Sequence, residues 1–566
     1  MYSELTQVWE ELTSPGQMFE IVTEQVRGAP VKCFAHAPKS LRDFWLSTAA
    51  HGDKDYLVYQ QERCTYTQAH EYTASIANWL QQQGVGHGDR VAIAMRNYPE
   101  WMLAYWAVAS VGAVVVGMNA WWVPHEMTYG LADSAPKVLI CDRERMLRFE
   151  EIRADFPDML VTVVRSAEEV PEWAIDWTEV INAPAELPEV EIDTDDDVCI
   201  FYTSGTTGKP KGAQLTHRGC IANIMNCAFI NTVQPQALAR ANGTEGDTSS
   251  AVTEVSAMVA TPLFHVTANN CVAQATALAG GKLIHMYKWD PAEALRLIEA
   301  ERVTTFSAVP MMTREMLMHP DFANRDVSSL KSIGGGGAAM QPDLVAKVDQ
   351  VMEGAAPATG YGMTEVCGLI SAVGADFFVD KPASVGLPVP TLEAKCVDEQ
   401  GQSLAVGEIG ELWVRGSPVI KGYLNRPEAT AESITDGWLH TGDIAYLDED
   451  GFIFLVDRAK DMVLRGGENV YCAEVENAIF AHDDVAECVA FAVPDDRLGE
   501  EVGAAIYLRP GATLDAAAIR EHSKVLIAPF KIPRYIWFVS EPLPRNASGK
   551  FVKKDIKEAM QLADAS

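Results

Sequence analysis

The chain has 566 residues, too many for one ordinary core, and with 48% hydrophobic and 22% charged residues it has the composition of a folded globular protein. Its 45 basic and 78 acidic side chains leave a formal charge of −33, which opposes the attraction that nucleic acid and anionic lipid surfaces require and excludes both as expected partners. An anionic ligand must therefore be held by local lysines, arginines and backbone amides.

In chain order, the opening MYSELTQVWEELTSPG carries acids where an export signal would carry a basic region and an apolar core, and the closing QLADAS is not a peroxisomal tail, so a cytoplasmic location is expected. Eleven cysteines between Cys33 and Cys488 form no CxxC pair and no dense framework, which indicates reduced thiols rather than a zinc site or a disulfide scaffold. The strand DRVAIAM (89–95), a helix from about residue 100, the strand VVVGMN, a further helix and the strand KVLICD (137–142) set the rhythm of an α/β body with parallel strands. Trp101 to Val123 imitates a membrane span in length and apolarity. Pro99-Glu100 opens a helix, however, Gly112 and Gly117 interrupt the run, and AVVVG is β-branched, so a buried helix followed by a buried strand is expected, with no integral membrane span. The acidic DTDDD (193–197) reads as a surface linker into the strand VCIFYT, and 232–253, polar and poor in aromatics, as a long exposed loop. From Val385 to about Val456, runs such as GELWVRG and GFIFLVD between Gly and Asp turns predict an antiparallel, β-rich subdomain. Beyond Asp457, a helix-like AEVENAIF, strands CVAFAV and AAIYL, and a helix before PFKIPRYIWFV predict a small α+β lid. No internal repeat is visible.

The strongest chemical signal is Tyr202-Thr203-Ser204-Gly205-Thr206-Thr207-Gly208-Lys209-Pro210-Lys211-Gly212, directly after a strand. Small residues let backbone amides approach phosphate oxygens, hydroxyls add donors, and two lysines supply the positive charge that the protein as a whole lacks. The spacing is not that of a Walker loop. Gly334, Gly336 and Ala339 formally fit a dinucleotide-binding GxGxxG/A after a strand, with Glu353 about 20 residues beyond. That rival leaves four further segments unexplained: Tyr361-Gly362-Met363-Thr364-Glu365, Thr441-Gly442-Asp443, Asp457-Arg458-Ala459-Lys460-Asp461, and Pro544-Arg545-Asn546-Ala547-Ser548-Gly549-Lys550.

These segments, in this order, resemble the adenylate-forming family of acyl-CoA synthetases, firefly luciferases and peptide-synthetase adenylation domains, and the resemblance covers nearly the whole chain. It implies that ATP and AMP are held by the loop from Thr203 to Lys209 and by Gly362, Met363 and Thr364. Gly336, Gly337 and Ala338, together with Gly360 and Tyr361, would wall the adenine. Glu365 and Thr203 would hold Mg²⁺ as hard oxygen ligands, and Asp443 would accept from the ribose hydroxyls beside Arg458. Lys550 would be the catalytic ammonium of the first step, stabilising charge on the bridging oxygens of the α-phosphate. Lys460 would be both hinge and nucleotide contact, allowing the lid to rotate between two reactions. Arg465, Gly466 and Gly467, followed by Glu468 and Asn469, would face the pantetheine arm of coenzyme A. His265, in Thr261-Pro262-Leu263-Phe264-His265, would shape or gate the acyl pocket with Gly336 and Gly362. Read alone, a histidine after an apolar run is more often a satisfied core residue, and it is the resemblance that assigns His265 to the acyl channel. Relatives that activate amino acids place an aspartate in this segment. PLFHV has none, so a substrate α-amine would find no counter-ion.

The expected fold is therefore a large α/β multi-layer N-terminal domain with a β-rich subdomain (1–457) and a small mobile α+β C-terminal domain (458–566). The expected reaction is two-step: carboxylate and MgATP give acyl-AMP and pyrophosphate, and the CoA thiol then displaces AMP. A medium- or long-chain fatty acid is the favoured acid, with aryl and steroid side-chain acids open. A carrier protein in place of CoA, a luciferase-like oxygenase and a catalytically silent nucleotide-binding protein are the rivals, and a homodimer stays open.

Overall fold

Short runs of β-branched and small apolar residues, most of them followed by helices, build two large sheets in the computed structural model. It describes residues 1–566 except 167, 183–185, 204–208, 245–253, 338, 339, 341, 353, 459, 467, 496, 547 and 548. The chain divides into two compact units: Met1–Pro382, Gly386–Glu393 and Val414–Leu439 form one, and Ala383–Val385, Ala394–Trp413 and His440–Ser566 the other.

In the first unit, one sheet among the described residues has eight strands in the order Gly422–Tyr423, Lys211–Thr216, Asp197–Thr203, Val114–Gly117, Arg90–Ala94, Val138–Asp142, Leu160–Val164 and Ile175–Asp176. The run from Asp197–Thr203 onward is parallel, and the two edge strands before it are antiparallel. The chain leaves Arg90–Ala94 for a neighbour on one side and returns to Val138–Asp142 on the other. Such reversals open a crevice at the carboxyl ends of α/β strands. The second sheet has nine strands in the order Leu387–Pro388, Gly368–Gly374, Ala356–Met363, Ser332–Gly336, Thr305–Ala308, Ser256–Val259, Lys282–His285, Asp55–Tyr59 and Glu62–Thr65. It is parallel from Ala356–Met363 to Asp55–Tyr59.

The segment that imitates a membrane span is the helix Pro99–Ser110 and the strand Val114–Gly117, as expected. Every residue from Trp101 to Ser110 is buried, in one core with Val91 and Ile93 of the first sheet and Leu57, Val259 and Leu283 of the second. A helix that is apolar all round is a core helix when sheets cover it. Of its two tryptophans, Trp106 donates from Nε1 to Tyr56 Oη at 2.9 Å, whereas the buried Trp101 Nε1 has no partner among the described residues. Among the described residues no helix is long and apolar enough to cross a membrane.

Two expectations need correction. The exposed loop over 232–253 is helical through Ala241, because the helix His217–Ala241 continues across its first part. Phe229, Ile230, Val233 and Ala237 extend the buried stripe at helical spacing, so apolar periodicity outweighs the polar composition and the internal Pro235. Residues 245–253 lie outside the described residues. The acidic stretch before VCIFYT is also built into the fold: Asp195 accepts two bonds of 2.8 Å from Arg218, and Asp197 opens the strand.

In the second unit, Trp438–Leu447, from His440 on, pairs antiparallel with Ile453–Arg458, in line with the expected β-rich region. Beyond it, the strands Val463–Arg465, Glu468–Val470, Val485–Asp495, Gly499–Leu508 and Tyr535–Val539 form one sheet. The helices Cys472–Phe480 and Ala516–Lys524 share an apolar core with it through Val475, Ile479, Ile519, Val502, Ile506 and Ile536.

Candidate active site

Thr203 is the last residue of its strand, and its antiparallel partner is Lys211. The glycine- and threonine-rich segment is thus the connection of a strand pair, opening at a carboxyl end where ligands of α/β sheets bind. Ser204, Gly205, Thr206, Thr207 and Gly208 lie outside the described residues. Thr203 Oγ1 donates to the Lys211 carbonyl at 3.4 Å. The base of the connection is framed by tyrosines. Lys209 Nζ stands 5.1 Å from the Tyr129 ring centre, Tyr129 Oη donates to the Pro210 carbonyl at 2.7 Å, and Lys211 Nζ stands 4.1 Å over the Tyr423 ring. Such cation–π contacts are worth about 0.5–1 kcal/mol at exposed sites, enough to bias an ammonium without immobilising it.

Gly336 ends its strand, and its parallel partner is Gly360. The two glycines assigned to the adenine wall therefore stand side by side. A Cβ on Gly336 would lie 3.7 Å from Thr267 Cγ2, and one on Gly360 would lie 3.0 Å from Leu369 Cδ1. Gly337 follows in the left-handed region at φ +79°, and Ala338 lies outside the described residues. Gly334 and Gly336 belong to the strand, Gly336 as its last residue, rather than to the turn after it. The dinucleotide fingerprint needs its glycines in that turn, so this rival reading does not match the fold; Ala339 and Glu353 lie outside the described residues.

The register slips between Tyr361 and Gly362, and a Cβ on Gly362 would fall 1.8 Å from the Gly368 carbonyl oxygen, so backbone packing alone demands glycine there. Met363 ends the strand and Thr364–Val366 is a single 3₁₀ turn that tucks Glu365 inward, leaving it 7% exposed. Tyr423 Oη donates to Glu365 Oε1 at 2.8 Å, and the Ile420 amide donates to the Glu365 carbonyl at 3.0 Å. Burial, and then the neighbouring carboxylate, push the Tyr423 phenol well above its usual range, so it stays a donor. Tyr423 was not foreseen, because a tyrosine in a two-residue strand carries no chemical spacing. Among the described residues no group of three or more His, Cys, Asp or Glu could cage a metal. A single buried carboxylate on the same tyrosine as Lys211 of the expected phosphate segment has the chemistry of a Mg²⁺ contact, since that ion keeps water and phosphate oxygens in most of its positions.

His265 is half-buried, with its ring 4.7 Å from that of Phe264, which in turn meets Trp121 at 5.5 Å. Its carbonyl accepts from the Asn269 amide at 3.0 Å, at the start of the π-helical stretch Thr267–Ala273. Such widened turns are frequent at functional sites.

In the second unit, Asp443 and Arg458 are antiparallel partners joined by a 3.3 Å ion pair. The Asp443 amide donates to Thr441 Oγ1 at 3.1 Å, and the Gly442 amide to Glu411 Oε1 at 3.1 Å, which shapes the turn before the carboxylate. Lys460 is exposed, yet partial desolvation and then repulsion from Arg458 lower its ammonium pKa. The segment expected to act as the hinge is tied down by groups the sequence did not single out. Asp457 accepts from the Cys472 amide, and Lys553 Nζ stands 2.9 Å from Glu476 and 4.0 Å from Asp461. Arg465 is held by a two-pronged pair with Glu501 at 2.7 and 2.9 Å. Gly466 turns at φ +61°, and Gly467 lies outside the described residues.

Lys550 closes a small loop. Its amide donates to Asn546 Oδ1 at 3.0 Å, and the Asn546 amide donates back to the Lys550 carbonyl at 2.8 Å. Gly549 supplies φ +79°, and Arg545 bonds the Gly549 carbonyl and Glu487, each at 2.9 Å. The Lys550 side chain is exposed.

Comparison with known proteins adds the following. Residues 44–424 match the family described as AMP-binding enzyme, and residues 474–550 the AMP-binding enzyme C-terminal domain. A feruloyl-CoA synthase of Amycolatopsis sp is 35% identical over 87% of this chain and 93% of its own length. A long-chain-fatty-acid–CoA ligase of Bacillus subtilis is 31% identical over 90% of this chain and 93% of its own. The crystal structure of ATP-bound MatB from Rhodopseudomonas palustris, 28% identical, covers 90% of this chain and 98% of that one with a TM-score of 0.78.

Proposed function

The chain belongs to the family of AMP-binding enzymes and is an AMP-forming acid–thiol ligase, and from that premise we propose that it activates a hydrophobic carboxylic acid, a medium- or long-chain fatty acid in the first reading, and passes it to CoA. One observation carries the adenylating half. Lys211, at the base of the phosphate connection, and Glu365, the expected metal carboxylate, meet on the two ends of Tyr423, the ammonium over its ring and the carboxylate on its hydroxyl. Cation and hard oxygen ligand are thereby held for the same triphosphate.

In the first step a carboxylate oxygen attacks the α-phosphorus, and the bond to pyrophosphate breaks. Lys209 and Lys211 offset the charge of the phosphates, and the Lys550 ammonium stabilises the charge that develops on the bridging oxygen. Bound Mg²⁺ would neutralise phosphate charge, with Glu365 and Thr203 as its protein contacts. Asp443 accepts from the ribose hydroxyls. In the second step the CoA thiol attacks the acyl carbon and AMP leaves; residues 458–566 act as the mobile lid, with Lys460 at the pivot and Arg465, Gly466 and Gly467 toward the pantetheine arm. The enzyme acts in the cytoplasm.

The lining of Pro262, Leu263 and Phe264 supports an apolar acid, since all three are buried and none offers a counter-ion to an amine. An aryl acid is the second reading, favoured by the Phe264 ring beside His265 and by the feruloyl-CoA synthase among the relatives. The test is pyrophosphate release with MgATP across saturated acids of increasing length and cinnamate-type acids, each with and without CoA. CoA-dependent turnover that peaks with the longer saturated acids is expected. A peak with the aryl acids selects the second reading. Pyrophosphate without a thioester would show a carrier protein to be the acceptor, and silence with every acid overturns the proposal.

A further inference from the structure

The turn that carries Glu365 ends on a strained residue. Cys367 stands at φ +56°, in the left-handed region that side chains rarely adopt, with its amide on the Thr364 carbonyl at 3.0 Å. Such a conformation persists only where the surroundings hold it. Tyr423 and the Ile420 amide hold the turn at Glu365 itself. Its exit is held from the opposite side, by a cluster of buried amides.

Asn270 Nδ2 donates to the Cys367 carbonyl at 2.9 Å and lies 3.5 Å from Cys220 Sγ. Asn223 bridges the Asn270 carbonyl and the Leu369 amide, so the chain is gripped at Cys367 and again two residues on. Behind Asn270 stands Gln274, whose Nε2 donates to Asn269 Oδ1 at 2.8 Å, to Tyr105 Oη at 3.0 Å and to Asn270 Oδ1 at 3.3 Å. The Gln274 amide donates to the Asn269 carbonyl five residues back, which widens the turn. Asn223, Asn269, Asn270 and Gln274 are all fully buried.

The orientation of Gln274 decides what Asn270 can do. With its amine turned into the cluster, Gln274 leaves Oε1 buried and without a hydrogen-bond partner among the described residues. Turned the other way, it would set one carbonyl oxygen against two others. The chosen orientation occupies Asn270 Oδ1 and aims the Asn270 amine at Cys367. An orphaned buried acceptor costs stability, and folds carry such costs where a function needs them. Asn270 belongs to the stretch Thr267–Ala273 that follows His265, and Thr267 faces the Gly336 position. The segment expected to shape the acyl pocket and the expected metal carboxylate thus share one buried mount.

We propose that Asn270 is a positioning residue for adenylation: acting through Cys367, it fixes the left-handed exit of the turn and so sets the Glu365 carboxylate for the metal before the nucleotide arrives. This rests on the reading of Glu365 as a Mg²⁺ contact. Gln274 supports Asn270 and acts one step further back.

The test is calorimetric binding of ATP, with Mg²⁺ and separately with EDTA, to wild type, Asn270→Leu and Gln274→Met. No acid is added, so nothing turns over, and thermal unfolding checks each fold. Asn270→Leu keeps the shape of the side chain and loses its donor; it should weaken MgATP binding about tenfold while metal-free ATP stays within about twofold. Gln274→Met should shift MgATP in the same direction by a smaller factor, and it reports on the mount even if Asn270→Leu does not fold. Equal weakening of both forms of the nucleotide would reduce Asn270 to a structural residue, and an unmoved MgATP affinity in the folded variants overturns the proposal outright. Wild type that binds MgATP no better than metal-free ATP overturns Glu365 as the metal contact, and the positioning role with it.

Discussion

A catalytic lysine works when its backbone is fixed and its ammonium is delivered at the moment charge develops. The loop that carries Lys550 meets the first condition through the reciprocal bonds with Asn546 and the left-handed Gly549. Lys550→Ala should lower acid-dependent pyrophosphate release by on the order of 10²–10³-fold, the usual cost of one electrostatic group at the reacting oxygens. Transfer from chemically supplied acyl-AMP to CoA should fall much less. Tyr423 presents a different case, because it touches Glu365 rather than substrate. Tyr423→Phe removes a hydrogen bond to a charged group, worth about 1.5–3 kcal/mol, and should raise KM for MgATP about tenfold with little change in KM for the acid. An unchanged KM for MgATP would show that Glu365 needs no orientation. The phosphate string announced itself by composition, whereas the partner of Glu365 lies 58 residues away and was invisible.

Among the elements, the helix His217–Ala241 shows how local and tertiary preferences compete. Pro235 removes one backbone donor from its interior, on an exposed face where water can serve the Asn231 carbonyl. Packing of Phe229, Ile230, Val233 and Ala237 outweighs that cost. Pro235→Ala should therefore raise Tm by a few degrees without altering turnover, measured by thermal unfolding. The same helix steadies the site: Asn223, fully buried, donates to the Asn270 carbonyl at 3.1 Å and accepts from the Leu369 amide at 2.9 Å. It thus ties the π-helical stretch to the strand that pairs with Tyr361–Met363. Hydrophobic rhythm marked most of the elements correctly. It could not say that this helix outruns its polar sequence, because the answer lies on the surface it packs against.

For the whole molecule, a charge of −33 makes every anion site a local exception, and buried neutral histidines make the fold sensitive to acid. His217 accepts from the Leu41 amide at 3.0 Å, and burial depresses its pKa to about 4; His70 is likewise lowered to about 4. An unfolded chain titrates these rings near 6.5. Between pH 6.5 and about 4 the unfolded state therefore binds more protons, and stability falls as pH falls through that window, levelling once the folded rings also protonate. Tm measured from pH 7 to 4 should decline, with a shallower slope in His217→Gln than in wild type; equal slopes would remove His217 from the account.

The sequence by itself determined the alternation of strands and helices, the buried helix at Pro99–Ser110 and the order of the chemical strings, because backbone preference, apolar period and glycine or lysine content act over a few neighbouring residues. The tertiary structure decided that Gly336 stands beside Gly360, that Asp443 faces Arg458, and that Tyr423 joins Lys211 to Glu365. Strand register and packing set these meetings between distant residues, and neither partner's local sequence encodes them.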